Sequence, residues 1–243
     1  PRVRRALRSR NATLSRFWLA GADRGGPDPA LNGRRVLIVD NEDTFMGMLG
    51  HQLSALGLTA TVTRFDRPLR PAGYDLVVVG PGPGDPRDTA DPRMTALRAL
   101  TRDLLAGSVP FLSICLGHQV LALELGFDLV RRTVPAQGVQ RRISLFGRPE
   151  LVGFYNTYAA RSERDTVPGT GRRGPVEVSR DPDSGEVHAL RGTGLRSVQF
   201  HVESVLTQHG PRILRDLLVS LLGDAGLGQW PVCASPKGVV TPS

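Results

Sequence analysis

Short apolar runs alternate with helix-periodic segments through the first half of the chain. Arg35–Asp40 (RVLIVD), Ala60–Phe65, Tyr74–Val79 (YDLVVV) and Val109–Ile114 (VPFLSI) read as strands. Continuous aliphatic composition of this kind belongs to strands buried on both faces, as in a parallel sheet. Between them the spacing predicts helices. One starts at Asp43 or Thr44, either of which can cap it, and runs to Leu56 with Phe45, Met48, Leu49, Leu53 and Leu56 apolar; Gly57 stops it. A second spans about Pro92 to Ala106, and a third runs from His118 to Leu125 and ends at Gly126. Strand–helix alternation predicts an α/β fold with a doubly wound, mostly parallel sheet.

The texture changes after Phe127. Asp128–Arg131, Val139–Phe146, Pro175–Ser179, Glu186–Leu190 and Leu195–Phe200 read as short β-segments, expected to be antiparallel and packed at one edge of the main sheet. A last helix, Gly210–Leu222, carries Ile213, Leu214, Leu217, Leu218 and Leu221 at helical spacing, a core-facing stripe. Residues 3–20 read as a further helix, either the tail of a preceding domain, a docking element or a boundary remnant without a role. Ala20 to Gly33 reads as a linker, rich in Gly, Pro, Asp and Ala. The expected division is a helix and linker over 1–33, one globular domain over 34–222 and a flexible tail over 223–243. The chain opens on Pro1 in mid-helix, which suggests a piece of a longer polypeptide.

Charge changes this picture little. The net charge is +8, but residues 1–34 hold eight Arg against Asp23 and Asp28, a net of +6, so the globular part is almost neutral. No zinc-finger spacing and no aromatic–basic RNA motif accompanies the basic segment, so nucleic-acid binding is not expected. Two cysteines, Cys115 and Cys233, make no disulfide framework, which suits a reducing cytoplasm. No signal peptide and no membrane-length apolar run is present.

Three stretches carry candidate chemistry. The apolar strand Val109–Ile114 runs into Cys115 and then a helix, which places a thiol on a tight turn over a helix N-terminus, where thiolates are favoured; a buried structural cysteine is the alternative. Gly80-Pro-Gly-Pro-Gly84 follows a buried strand, and such a loop can present backbone N–H groups to an anion or carboxylate, or serve as a rigid turn. It lacks the lysine of a phosphate loop and the spacing of a dinucleotide fingerprint. Gln199-Phe-His-Val-Glu-Ser204 ends a strand, and in extended backbone His201 and Glu203 project to one side. A carboxylate there can orient an imidazole whose other nitrogen meets a thiol. His51, His118, His188 and His209 lack such a partner in sequence.

These residues resemble the class I, triad-type glutamine amidotransferases. The matching motifs are Val36-Leu-Ile-Val-Asp40-Asn41, Gly80-Pro-Gly-Pro-Gly-Asp-Pro86, Ile114-Cys-Leu-Gly-His-Gln119 and Val198-Gln-Phe-His-Val-Glu-Ser204. The resemblance implies a flavodoxin-like fold with helices on both faces and hydrolysis of L-glutamine to glutamate and ammonia through a thioester. It implies Cys115 as nucleophile, His201 as base and then acid, and Glu203 as its orienter. It also implies an oxyanion hole from the backbone N–H groups of Gly82 and Leu116, and glutamine-binding positions at Gly84, Gln119, Thr157 and Tyr158. The family usually carries glycine where Ser113 stands and proline where Val202 stands.

Asp40-Asn-Glu-Asp-Thr-Phe45 is similar to the chorismate-linked branch of that family. Val134-Pro-Ala-Gln-Gly-Val-Gln140, Leu145-Phe-Gly147 and Gly153-Phe-Tyr-Asn-Thr-Tyr-Ala159 resemble its fused phenazine-type enzymes, 2-amino-2-deoxyisochorismate synthases. This implies a chorismate-converting synthase as partner, fused on the N-terminal side, with residues 1–19 the end of that half. It also implies Mg2+ in the synthase half, no cofactor or metal in this domain, and a full chain able to form a homodimer. The alternatives are the glutaminase half of an anthranilate synthase of tryptophan or antibiotic biosynthesis, a silent regulatory domain of the same fold, and a stand-alone hydrolase of another γ-glutamyl substrate.

Overall fold

The computed structural model describes residues 27–170 and 173–224. The helix expected over 3–20, the fusion segment 1–19 and Cys233 lie outside the described residues. The elements in order are β1 (Arg35–Asp40), α1 (Met46–Ala55), β2 (Thr59–Arg64), β3 (Leu76–Val79), α2 (Pro92–Ala106), β4 (Phe111–Ile114), α3 (Leu116–Glu124), β5 (Asp128–Leu145), β6 (Arg148–Arg161), β7 (Thr166–Val167), β8 (Val176–Arg180), β9 (Val187–Gly192), β10 (Leu195–Val198) and α4 (Gly210–Asp224).

Eight strands form one sheet in the order β2-β1-β3-β4-β10-β9-β8-β7. The pairs from β2 to β10 are parallel, and those from β10 to β7 are antiparallel. This is the flavodoxin-like arrangement. β3 and β4 are buried at every residue because helices cover both faces. Val36, Ile38, Val78, Leu112 and Ile114 pack with Leu49 and Leu53 of α1 and Leu214 and Leu218 of α4. On the other face Leu37, Val39, Val77 and Val79 meet Met94, Leu97 and Leu104 of α2 and Val120 and Leu121 of α3. Each such side chain, fully buried, contributes about 1.5–3 kcal/mol of transfer free energy. α2 starts where its sequence dictates: the Asp91 carboxylate accepts the Arg93 N–H at 2.8 Å, and Pro92 occupies the first turn.

Five expectations need correction. Neither Asp43 nor Thr44 is the N-cap of α1; Phe45 holds that position, and the Asp43 carboxylate instead accepts the Phe45 N–H at 2.7 Å in the preceding turn. α3 begins at Leu116, directly behind the cysteine, rather than at His118. β10 is not one of an antiparallel edge group but continues the parallel sheet beside β4, and it ends at Val198 rather than Phe200. Residues 128–161 form one long hairpin, β5–β6, which is a separate two-stranded sheet. Its pattern was hidden by the register shifts between Arg131 and Ala136 and between Gln137 and Val139. Its turn is also unusual: Phe146 and Gly147 both have positive φ, 47° and 87°, the two-residue hairpin geometry that Asn-Gly ordinarily signals. The Arg191 guanidinium lies 4.3 Å over the Phe146 ring and braces it. Glu186 takes Arg132 and Arg141 from β5, which ties the hairpin to the main sheet. Finally, the end of the expected linker packs onto the domain. Leu31 is fully buried in the core, and Asp28 pairs with Arg215 of α4 at 2.6 Å.

Candidate active site

β3, β4 and β10 are neighbours in the sheet and run in the same direction. Their C-terminal ends therefore bring Gly80–Gly84, Cys115 and Gln199–Glu203 to one edge, where open α/β sheets place ligands. Cys115 sits on the turn from β4 into α3 at φ 52°, ψ −101°, a strained conformation for a residue with a Cβ. The surroundings hold it there. Its N–H donates to Val198 O at 2.9 Å, and its carbonyl accepts the Gln119 N–H at 3.0 Å as the helix begins. A Cβ on Gly117 would stand 2.6 Å from Val79 O, so only glycine lets the helix start this close to the sheet. Ser113 lies fully buried inside β4, opposite Val79 and Ser197, and the turn forms immediately beyond it.

His201 and Glu203 meet, though not by strand alternation. β10 has ended, and the segment turns, with Ser204 N–H donating to His201 O at 3.3 Å. The turn closes His201 Nδ1 onto Glu203 Oε1 at 2.6 Å, both side chains buried. Burial works against a charged imidazole. The His201 pKa nevertheless stands well above the usual histidine value, because the charge of Cys115 and its hydrogen bond, together with those of Glu203, favour the protonated ring. The ring is also held from two sides, by Phe45 at 4.7 Å and Tyr155 at 4.9 Å between centroids. Beside Val202, hydrogen bonds to the His201 main chain fix what proline would otherwise restrict: the Thr207 hydroxyl Oγ1 donates to His201 O at 2.5 Å and His201 N–H donates to Gly153 O at 3.0 Å.

The glycine loop faces this group. Asn41 Nδ2 donates to Gly80 O at 2.7 Å and shapes the loop's entry. A Cβ on Gly82 would meet Asn41 Cβ at 2.6 Å and Leu116 Cδ2 at 2.8 Å, so Gly82 and Leu116 are packed together. Gly84 has φ 121° and leaves room for Met94. Gln119 Nε2 donates to Tyr158 O at 2.8 Å, which joins α3 to β6, where Thr157 and Tyr158 lie. The Arg87 guanidinium covers the Tyr158 ring at 4.7 Å and pairs with Asp85, whose pKa it pulls down to about 2. All nine residues named from sequence are thus placed on elements that converge at this edge. Among the described residues no group of three or more His, Cys, Asp or Glu side chains could hold a metal ion, and no helix is long and apolar enough to cross a membrane.

His118 and His188 are buried behind the cysteine. His118 Nδ1 lies 2.9 Å from Ser197 Oγ. Burial pushes the His118 pKa down to about 3 and that of His188 to about 4. Both are therefore neutral when folded, while their unfolded counterparts take up protons below about pH 6.5. The unfolded state binds more protons in the window from about 6.5 down to 4, so stability falls as pH falls there, by about 1.4 kcal/mol per pH unit for each histidine. Urea unfolding across that window should show the slope, and His188→Leu should flatten it by one histidine's share.

Sequence reasoning missed four contributors: Gln199, Asn41, Phe45 and Tyr155. Gln199 stands in the Val198–Ser204 motif, one residue past the end of β10, where strand alternation no longer says which way it faces. Nothing in the sequence pairs Phe45 with Tyr155, whose rings are 5.0 Å apart although 110 residues separate them.

A strained cysteine between a flavodoxin-like sheet and a buried His–Glu pair defines a class, and residues 37–221 match the model of that class, the class-I glutamine amidotransferases. The chain belongs to this family. It is 54% identical over 217 residues to a phenazine-specific anthranilate synthase of Pseudomonas fluorescens, a match covering 89% of this chain and 34% of that protein. It is 33% identical over 198 residues to an anthranilate synthase component 2 of Azospirillum brasilense, covering 75% of this chain and 94% of that protein. The crystal structure of a glutamine amidotransferase from Thermotoga maritima shares the fold with a TM-score of 0.57 at 18% identity, over 81% of this chain and all of that one. The chain spans about a third of the length of the phenazine-specific relatives it matches.

Proposed function

We propose that this chain hydrolyses L-glutamine and hands the ammonia to a chorismate-converting synthase. The observation that carries the reading is the linked set Cys115–His201–Glu203 at the sheet edge, with His201 held towards its protonated form. Cys115 Sγ attacks the carboxamide carbon, and the developing oxyanion is met by the backbone N–H groups of Gly82 and Leu116; one such donor is worth about 3–4 kcal/mol in comparable sites. His201 then protonates the departing ammonia, leaving a thioester. In the second half His201 takes a proton from water, the hydroxyl adds to the thioester carbon, and glutamate leaves as Sγ is regenerated. Gly84 and Gln119 hold the glutamine, and the backbone of Thr157 and Tyr158 receives its amino-acid end.

The higher identity to the phenazine-specific anthranilate synthases than to the component 2 protein supports a phenazine-type, chorismate-converting synthase as partner, fused or separate; the 2-amino-2-deoxyisochorismate product rests on the sequence motifs alone. Ammonia in bulk water is mostly ammonium and not a nucleophile, so transfer favours a sheltered path. The test is an assay of glutamine hydrolysis with and without the synthase and chorismate, in Mg2+. The reading predicts low hydrolysis by the chain alone and a several-fold rise with the loaded synthase. Glutamine left intact in both conditions would refute it.

A further inference from the structure

Gln199 is 1% exposed and stands beside the sulfur, with its Nε2 3.8 Å from Cys115 Sγ. Its Oε1 accepts from Gln119 Nε2 at 3.0 Å. The orientation of these two carboxamides is set by the main chain. Tyr158 O can only accept, so the group Gln119 turns to it, at 2.8 Å, must be its NH2. The same NH2 faces Gln199, which must then present its oxygen to Gln119 and its own NH2 to the sulfur. The chain of bonds is directional and runs from Tyr158 O through Gln119 and Gln199 to Cys115.

We propose that Gln199 is a further catalytic residue, which donates an N–H to the Cys115 sulfur and so stabilises its thiolate, and that Gln119 is the positioning residue which keeps that carboxamide facing the sulfur. A buried anion gains most from a donor aimed at it, because the site excludes water. The carboxamide does this without adding a charge that would compete with His201. The inference rests on the glutaminase reading for its role in turnover, but the contact itself does not. Substrate that engages Gln119 also engages the last link before the nucleophile, so occupancy of the glutamine site and thiolate stability are connected.

The pH dependence of Cys115 alkylation by iodoacetamide, followed by peptide mass spectrometry, tests this without glutamine. Gln199→Glu turns the donor into an acceptor and adds negative charge beside the sulfur. The alkylation midpoint is expected to move up by about one pH unit or more, a roughly tenfold loss of rate below the midpoint. Gln199→Met, which removes the donor without charge, should move it in the same direction by less. Gln119→Met never touches the sulfur, yet it should also raise the midpoint by releasing the Gln199 carboxamide. Unchanged midpoints in both Gln199 variants, with thermal unfolding like the parent's, would overturn the inference. An unchanged midpoint in Gln119→Met alone would overturn the positioning role. Parallel glutamine hydrolysis by the parent, with and without the loaded synthase, separates the two questions: hydrolysis with no midpoint shift removes only this inference, whereas a midpoint shift with no hydrolysis in either condition removes only the glutaminase reading.

Discussion

Cys115→Ser is expected to lose glutamine hydrolysis by about 10⁴-fold or more, because the thioester route has no substitute nucleophile at this edge. Serine keeps the size of the side chain and can occupy the φ 52° turn, so the fold should persist. What it loses is acidity and polarisability. A hydroxyl beside His201 is a far weaker nucleophile than a thiol, and losing the sulfur's charge also removes the main group that holds His201 protonated for the ion pair. If the chain serves a chorismate synthase, amination driven by added ammonium salt should remain at the parent's level in the same variant. That contrast separates loss of chemistry from loss of assembly. A Cys115→Ser protein that hydrolyses glutamine within tenfold of the parent would show that another group is the nucleophile.

Glu203→Gln carries the second large effect, a loss in kcat of up to about 10⁴-fold, the loss seen when the orienting carboxylate of a comparable triad is replaced by an amide. Glu203 Oε1 lies 2.6 Å from His201 Nδ1 and helps hold the His201 pKa up. Removing its charge takes away one of the groups that offset burial, so the His201 pKa falls, although Cys115 still raises it. The protonated ring is the form that supplies a proton to departing ammonia, so the alkaline limb of the kcat/KM profile should move to lower pH. The KM for glutamine should change little, since the Glu203 carboxylate is turned toward His201, while the Glu203 backbone carbonyl accepts from Gln52 Nε2. An alkaline limb that stays in place would mean the carboxylate does not set the state of His201.

Much of this was readable from residue order. The aliphatic runs at β1, β3 and β4 are buried on both faces and could only be inner parallel strands, and Cys115 directly after β4 had to fall on the turn into α3. Seven of the nine candidate residues meet because three parallel strands end at one edge; Thr157 and Tyr158 come from β6 of the separate hairpin, joined to α3 by the bond from Gln119 to Tyr158 O. What escaped was decided between elements distant in sequence. Phe45 and Tyr155 are 110 residues apart and grip His201 only because β6 is folded over α1's entry. The β5–β6 hairpin does not show in the sequence as one unit because its bulges at Arg131–Ala136 and Gln137–Val139 interrupt the alternation a strand should show, and its turn is Phe-Gly rather than Asn-Gly. β10 looked like one more edge strand because parallel or antiparallel neighbours leave no mark on four residues.

The most direct test of the account is labelling by 6-diazo-5-oxo-L-norleucine, a glutamine analogue that alkylates the nucleophile able to attack a bound glutamine side chain. The account predicts a single covalent adduct at neutral pH, on the peptide containing Cys115, suppressed by excess L-glutamine and lost in Cys115→Ser. An intact, unlabelled Cys115, or an adduct on Cys233 instead, would contradict it.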